Sequence, residues 1–165
     1  MSDRTRTTEL AALTSIAAQV NCTQDLDVIL AGALQTTLEV IGEDSGEVFL
    51  VDEETGDLIL HTHSGLSPAF VDAESVIGSG ECVCGRAIHS GKIELIADIA
   101  THPARSRTAC EREGFHSCVR LPLLARGEVL GLLNIQSRNH RDFTQADEDL
   151  LIAIGNQIGI AIANA

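Results

Sequence analysis

Apolar residues recur every three or four positions at both ends of this chain and nearly every second position in its middle. Leu10, Leu13, Ile16, Ala17 and Val20 share one face of a helix over 8–20. Asn21-Cys22-Thr23 breaks it. Asp25 or Thr23 is placed to cap a second helix, whose apolar positions are Leu26, Ile29, Leu30, Ala33, Leu34, Leu38 and Ile41. After a turn at 42–46 the period shortens. Residues 47–52 and 57–63 read as two strands, joined by Glu53-Glu54-Thr55-Gly56 with glycine where a positive φ is needed. A short helical turn over 66–70, an extended pair at Val76-Ile77, a helix over 84–90 closed by Gly91 and a strand over 93–96 follow. Residues 98–114 read as a long polar loop with a short helix ending at Gly114. Strands over 117–124 and 129–136 meet at Ala125-Arg126-Gly127-Glu128. The last helix starts at Thr144, with Asp147 three residues on as in a capping box and Glu148 and Asp149 at its positive end. It runs to Ala165 without a stop signal, as expected of a chain cut inside a longer helix.

Helices at both ends around paired strands predict an α+β domain with an antiparallel sheet. Its strands alternate poorly between apolar and polar residues, so both sheet faces are expected to be covered. At 165 residues the chain is long enough for one domain with a proper core. The expected division is terminal helices over about 8–41, sheet and loops over about 46–136, and a closing helix over about 144–165.

Composition narrows the possibilities. The formal net charge is −13 and Lys92 is the one lysine, which argues against nucleic acid and anionic membrane as partners. No apolar run approaches the roughly 18 residues that would cross a bilayer. Residues 1–9 are polar with no signal-peptide core, so a cytoplasmic location is expected. Thiols stay reduced there, and five cysteines then point to metal, redox chemistry or packing before disulfides.

The candidate chemistry concentrates in 78–124, which holds four of the five cysteines, three of the six histidines and five of the ten arginines. Cys82 and Cys84 sit at the start of a helix beside Arg86, where free amides, the helix dipole and the guanidinium favour a thiolate. Alternation along an extended segment would turn only one of them inward. Cys110, His116 and Cys118 would complete a ligand set; Cys82, Cys84, Cys110 and Cys118 are the candidate ligands for a soft metal or an iron–sulfur cluster, although the spacing matches no zinc signature. The competing reading is that these sulfurs pack as small hydrophobes or switch by oxidation. Arg105, Arg107, Arg112 and Arg120 would suit an anionic ligand such as a carboxylate or a nitrate-like oxyanion, or else pair with Glu111, Glu113 and Asp98.

The order and spacing of these pieces resemble the GAF family of sensory domains. The resemblance is carried by Phe49-Leu50-Val51-Asp52, Gly65-Leu66-Ser67, the opening Gly80-Glu81-Cys82-Val83-Cys84-Gly85, Gly114-Phe115-His116-Ser117 before Leu121-Pro122-Leu123, Gly131-Leu132-Leu133-Asn134-Ile135, and Phe143-Thr144. It implies terminal helices packed on one sheet face, a ligand pocket between the other face and the 78–114 loops, and homodimerisation through the terminal helices. In function it implies the non-enzymatic input domain of a bacterial signalling protein of the sensor histidine kinase type. Such a domain senses a small molecule, metal centre or redox state and relays it to an output domain. Free methionine-(R)-sulfoxide reductases are similar at Val83-Cys84-Gly85-Arg86-Ala87, at Ala109-Cys110-Glu111 and at Ser117–Pro122, which implies Cys84 and Cys110 as redox cysteines. The chain departs from that family with Glu74 near the place of a further cysteine, with Cys118 for an acidic residue, and with Asn134-Ile135-Gln136 for an Asp-x-Asp that holds the substrate.

Overall fold

The computed structural model describes residues 3–165. Two helices open it, α1 (Asp3–Cys22) and α2 (Leu26–Ile41). Strands β1 (Ser45–Val51) and β2 (Leu58–Ser64) follow, then α3 (Pro68–Ala73), β3 (Val76–Ile77), α4 (Cys82–Ser90) and β4 (Glu94–Ile96). The short α5 (Ala109–Arg112) precedes β5 (Ser117–Ala125), β6 (Glu128–Ser137) and α6 (Gln145–Ala163). The six strands form one antiparallel sheet in the order β3-β2-β1-β6-β5-β4. The predicted α+β architecture is therefore the one observed.

Local chemistry accounts for the element ends. Asp25 accepts from the amide of Asp27 at the start of α2. At α6, Thr144 and Asp147 form a reciprocal capping box. Arg126 and Gly127 take φ of 53° and 79°, and positive φ at both central residues matches the strand twist in a two-residue hairpin. The first helix begins earlier than its apolar face suggested, because nothing in the polar residues 3–7 forbids another turn.

One sheet face carries Val48, Val119, Leu121, Leu123, Leu133 and Ile135, and packs on Ile16, Leu30, Leu34, Leu151, Ile154 and Ile158 of α1, α2 and α6. The other face packs two smaller clusters, one around Phe70, Ile99 and Phe115 and one around Phe49, Leu58 and Leu132. Both faces are covered, as the strand pattern implied. Ile16, Ile154, Ile158 and Ala161 are buried in this chain's own core. They are therefore not free to pack against a second copy; Leu10 on α1 and Ile152 and Ile160 on α6 are the exposed large apolar residues there. Among the described residues no helix is long and apolar enough to cross a membrane.

Candidate functional site

The candidate site lies on the sheet face away from α1, α2 and α6. Strand register builds its floor. Glu47 of β1 stands opposite Asn134 of β6, Asn134 opposite Arg120 of β5, and Arg120 opposite Glu94 of β4. One step along, Gln136 stands opposite Cys118. Because side chains alternate across a strand, these polar residues share a face while Val119, Leu121, Leu133 and Ile135 point to the helices.

A roof is laid over this floor by α4 and by residues 98–114. Gly85 lets α4 sit against the preceding loop, since a Cβ there would lie 2.7 Å from the backbone of Gly80. Arg107 ties the roof together. Its Nε donates to Glu74 at 2.9 Å, its Nη1 to Glu81 at 2.8 Å and its Nη2 to the carbonyl of Ala73 at 2.6 Å. Glu113 accepts from the amide and hydroxyl of Ser67 at 2.7 and 2.6 Å. Phe70 and Phe115 meet edge to face, their centroids 5.7 Å apart.

Between floor and roof is a cavity of about 20 Å³, lined by sulfurs, apolar side chains, three arginines, Glu74 and His102. That is room for about one water molecule. Cys82, Cys84, Cys110 and Cys118 all line it, with Val83, Ile96 and Ile99, and with Arg105, Arg107 and Arg120. The segment thus brings its four cysteines together. Cys82 does not alternate with Cys84: it begins α4 with φ of 57° and its sulfur lies 3.5 Å from the amide of Ser106.

Two expected members are elsewhere. Arg86 is exposed on α4; the guanidinium beside the thiols belongs to Arg120, which is 3% exposed. His116 precedes β5 and stacks on His140, with ring centroids 4.5 Å apart. His61 is exposed on β2 and contacts Asp27.

The thiolate expected at the start of α4 is not favoured either. Burial pushes the Cys84 and Cys110 thiols up to about 12 and Cys118 up to about 11, and the charge of Arg120 offsets this only in part. Among the described residues no three His, Cys, Asp or Glu side chains stand where they could hold a metal ion. The four sulfurs share a cavity but are not gathered around one point.

Glu47, Asn134 and Gln136 had no role in the reading of the residues alone. Glu47 is 2% exposed, and its Oε1 accepts from Asn134 at 3.0 Å and from Gln136 at 2.8 Å. Its Oε2, the Asn134 Oδ1 and the Gln136 Oε1 have no partner. A carboxylate in a strand covered on both faces was the available signal. Burial raises the Glu47 pKa above its ordinary 4.5, against the amide hydrogen bonds and Arg120; Glu74 adds to the rise. The folded protein therefore binds this proton more tightly than the unfolded chain. The linked stability is complete below pH 4.5 and is lost as pH rises through the higher folded value. Glu47→Gln removes the titrating group and supplies a permanent donor for an orphan acceptor. It is expected to stabilise the fold at neutral pH by about 1–3 kcal/mol and to flatten this pH dependence. Urea unfolding at pH 5 and 7.5 checks it; a variant less stable at pH 7.5 would mean that the ionised Glu47 is the favoured form.

Comparison with known proteins agrees with this architecture. A family model described as GAF domain matches residues 23–163. The chain is 29% identical over 164 residues to the sensor histidine kinase YhcY of Bacillus subtilis, covering 96% of this chain and 43% of that protein. It therefore spans less than half of that relative's length. The GAF domain of a phosphoenolpyruvate-protein phosphotransferase from Coxiella burnetii superposes with a TM-score of 0.84 at 25% identity, covering 95% of this chain and 94% of that one. Free methionine-R-sulfoxide reductase from Neisseria meningitidis, solved with its substrate, superposes with a TM-score of 0.81 at 22% identity, over 99% of this chain and 93% of that one, and shares the fold. With the helical face, the roofed sheet and a family match over most of its length, the chain belongs to the GAF-domain family.

Proposed function

We propose that this is the sensory domain of a signalling protein, which holds a small ligand in the cavity beside Arg120 and passes its occupancy to an output domain through α1 and α6. One observation carries this reading: β5 serves both sides of the sheet. Cys118 and Arg120 line the cavity, while Val119, Leu121 and Leu123 on the alternate positions pack in the helical core with α6. The contact reaches the backbone, because a Cβ on Gly159 of α6 would lie 2.0 Å from the carbonyl oxygen of Leu124. A displacement of β5 is therefore felt directly by α6, and packed elements of this kind respond by small discrete shifts. A homodimer formed along the exposed Leu10 and Ile160 would carry such a shift onward.

The rival is a cysteine-dependent reductase of free methionine sulfoxide. Its nucleophile would be a thiolate, whereas burial keeps Cys84 and Cys110 protonated at neutral pH. Neutral Asn134 and Gln136 stand where that family's resemblance implies two carboxylates. Incubation with free methionine-(R)-sulfoxide and a thiol reductant is expected to give no turnover above the reductant alone. Robust turnover that disappears in Cys110→Ser would overturn the sensory reading.

A second reading is favoured by the four sulfurs lining one cavity. On it, movement of 98–114 and loss of the thiol protons would let Cys82, Cys84, Cys110 and Cys118 take a soft metal or an iron–sulfur cluster, and binding would order the roof. Protein purified without oxygen would then carry stoichiometric metal and, for a cluster, absorb visible light. A colourless, metal-free preparation eliminates it.

A further inference from the structure

Arg120 is a buried cation with no ion-pair partner among the described residues. An arginine stays protonated in proteins, and this one is 3% exposed. Its Nε has no acceptor. Its Nη1 lies 3.5 Å from the carbonyl of Val119, at the limit of hydrogen-bond reach, and its Nη2 3.6 Å from the sulfur of Cys110, a weak acceptor. Arg120 is in none of the ion pairs found among the described residues. The carboxylates nearest in register make no ion pair with Arg120: Glu47, whose Oε1 holds the two amides, acts on it only through space, and Glu94 faces His102 at 3.3 Å.

No other carboxylate of the cavity wall pairs with Arg120. Arg107 is matched by Glu74 and Glu81, and Arg105 by Glu111. Burial keeps the Cys84, Cys110 and Cys118 thiols protonated at physiological pH, so these three supply no counter-charge. One guanidinium faces the cavity with its Nε unpartnered and its two terminal nitrogens held only by long bonds to neutral acceptors. A single negative charge balances it, and the volume of about 20 Å³ admits only a very small occupant without movement of the roof. Val83, Ile96, Ile99 and the sulfurs offer little to replace a tightly held hydration shell. An ion entering such a wall must shed water cheaply, because desolvation is the dominant cost of burying charge.

We propose that the Arg120 cavity binds a small, weakly hydrated monoanion: a heavier halide, or a planar oxyanion of nitrite or nitrate size admitted when 98–114 gives way. The inference rests on the sensory reading and names the chemical class of its ligand. Sulfate and phosphate are excluded by charge, size and hydration. The guanidinium fork selects the anion by charge and planar hydrogen bonding, and the soft wall selects against strongly hydrated ones.

Calorimetric melting of the full chain tests this, with sodium bromide, nitrite and nitrate titrated at low millimolar concentration against sodium sulfate at equal ionic strength. Sulfate stabilises proteins generally by exclusion from their surface, so a specific site must reverse that order. The expected result is a saturable upward shift of Tm with the monoanions and none with sulfate. The shift should vanish in Arg120→Met and survive in the exposed Arg86→Gln. Indifference to the anion, or an equal shift in Arg120→Met, overturns the proposal. Should Arg120→Met fail to fold, bromide-81 NMR of the natural chain decides: excess line broadening relieved by nitrite supports the site, and its absence overturns it. Stoichiometric metal on the cavity cysteines also overturns it. Anion indifference without sulfoxide turnover removes only the ligand class, whereas sulfoxide turnover removes the sensory reading whatever the anions do.

Discussion

Arg120→Met is expected to unfold at a higher temperature than the natural chain in sulfate buffer, by a margin of about 1–4 kcal/mol. The variant removes a guanidinium that is buried and has no carboxylate partner. Taking such a charge from water costs several kcal/mol, and little in the ligand-free protein repays it. Methionine matches much of the arginine stem, fills irregular space and needs no acceptor. Its neighbours are suited to it, since Cys118, Ile96 and Val83 line the same cavity. For a domain of this size each kcal/mol moves Tm by roughly 2–4 °C, so calorimetry resolves the effect. A clear fall in Tm would mean that Arg120 is already neutralised in the resting protein, by a thiolate or a retained ligand. Stability gained by deleting a residue of the binding site is what a site held in readiness for its ligand predicts. The natural chain tolerates the unpaired charge, and bound anion would return the cost.

The helices, the strands and their order were legible because each rests on a local rule: the 3.6-residue stripe of α2, the capping box at Thr144 and Asp147, the paired positive φ at Arg126 and Gly127. The crowding of four cysteines into one segment was visible in the sequence, but alternation there turned only one of Cys82 and Cys84 inward, whereas both line the cavity because Cys82 begins α4 with a positive φ. The electrostatics were not. Arg86 is two residues from Cys84 in sequence, yet the helix turns it outward; Arg120 is 36 residues away and lies against Cys110 because β5 and the roof share a cavity. Cys84 was read as activated by its helix position and by Arg86, and burial outweighs both there. Glu47 meets Asn134 and Gln136 only through the β1–β6 register, a pairing across nearly ninety residues that no local pattern encodes. The apolar stripe of α6 was legible as a stripe, but whether a helix spends it on its own sheet or on a partner depends on tertiary packing. Ile154 and Ile158 are spent on the sheet.

Arg107→Ala is expected to have the opposite sign to Arg120→Met, with a loss of about 3 kcal/mol. Both arginines line the same cavity, but Arg107 is fully partnered. Its three donors join the end of α3, through Ala73 and Glu74, to Glu81 at the start of α4 and to the 98–114 segment that carries Arg107 itself. Removing it leaves Glu74, 5% exposed, as an unpaired buried carboxylate. Breaking a buried pair from one side costs about 3–5 kcal/mol, because the remaining charge keeps its desolvation penalty. The lower figure applies since the Arg107 side chain is 24% exposed and water reaches it. Arg107→Ala,Glu74→Gln should recover a large part of the loss, as neutralising Glu74 removes the stranded charge. Urea unfolding of the two single variants and the double variant closes the cycle. The damage should also be local. Amide exchange is expected to quicken over 98–114 and at the start of α4 while the core of α6 stays protected, because the clamp belongs to the roof and not to the helical face. Uniformly quicker exchange through α6 would show instead that roof and helices open as one unit. A loss below 0.5 kcal/mol, about what an exposed ion pair contributes, would show that the three bonds of Arg107 do not hold the cavity shut.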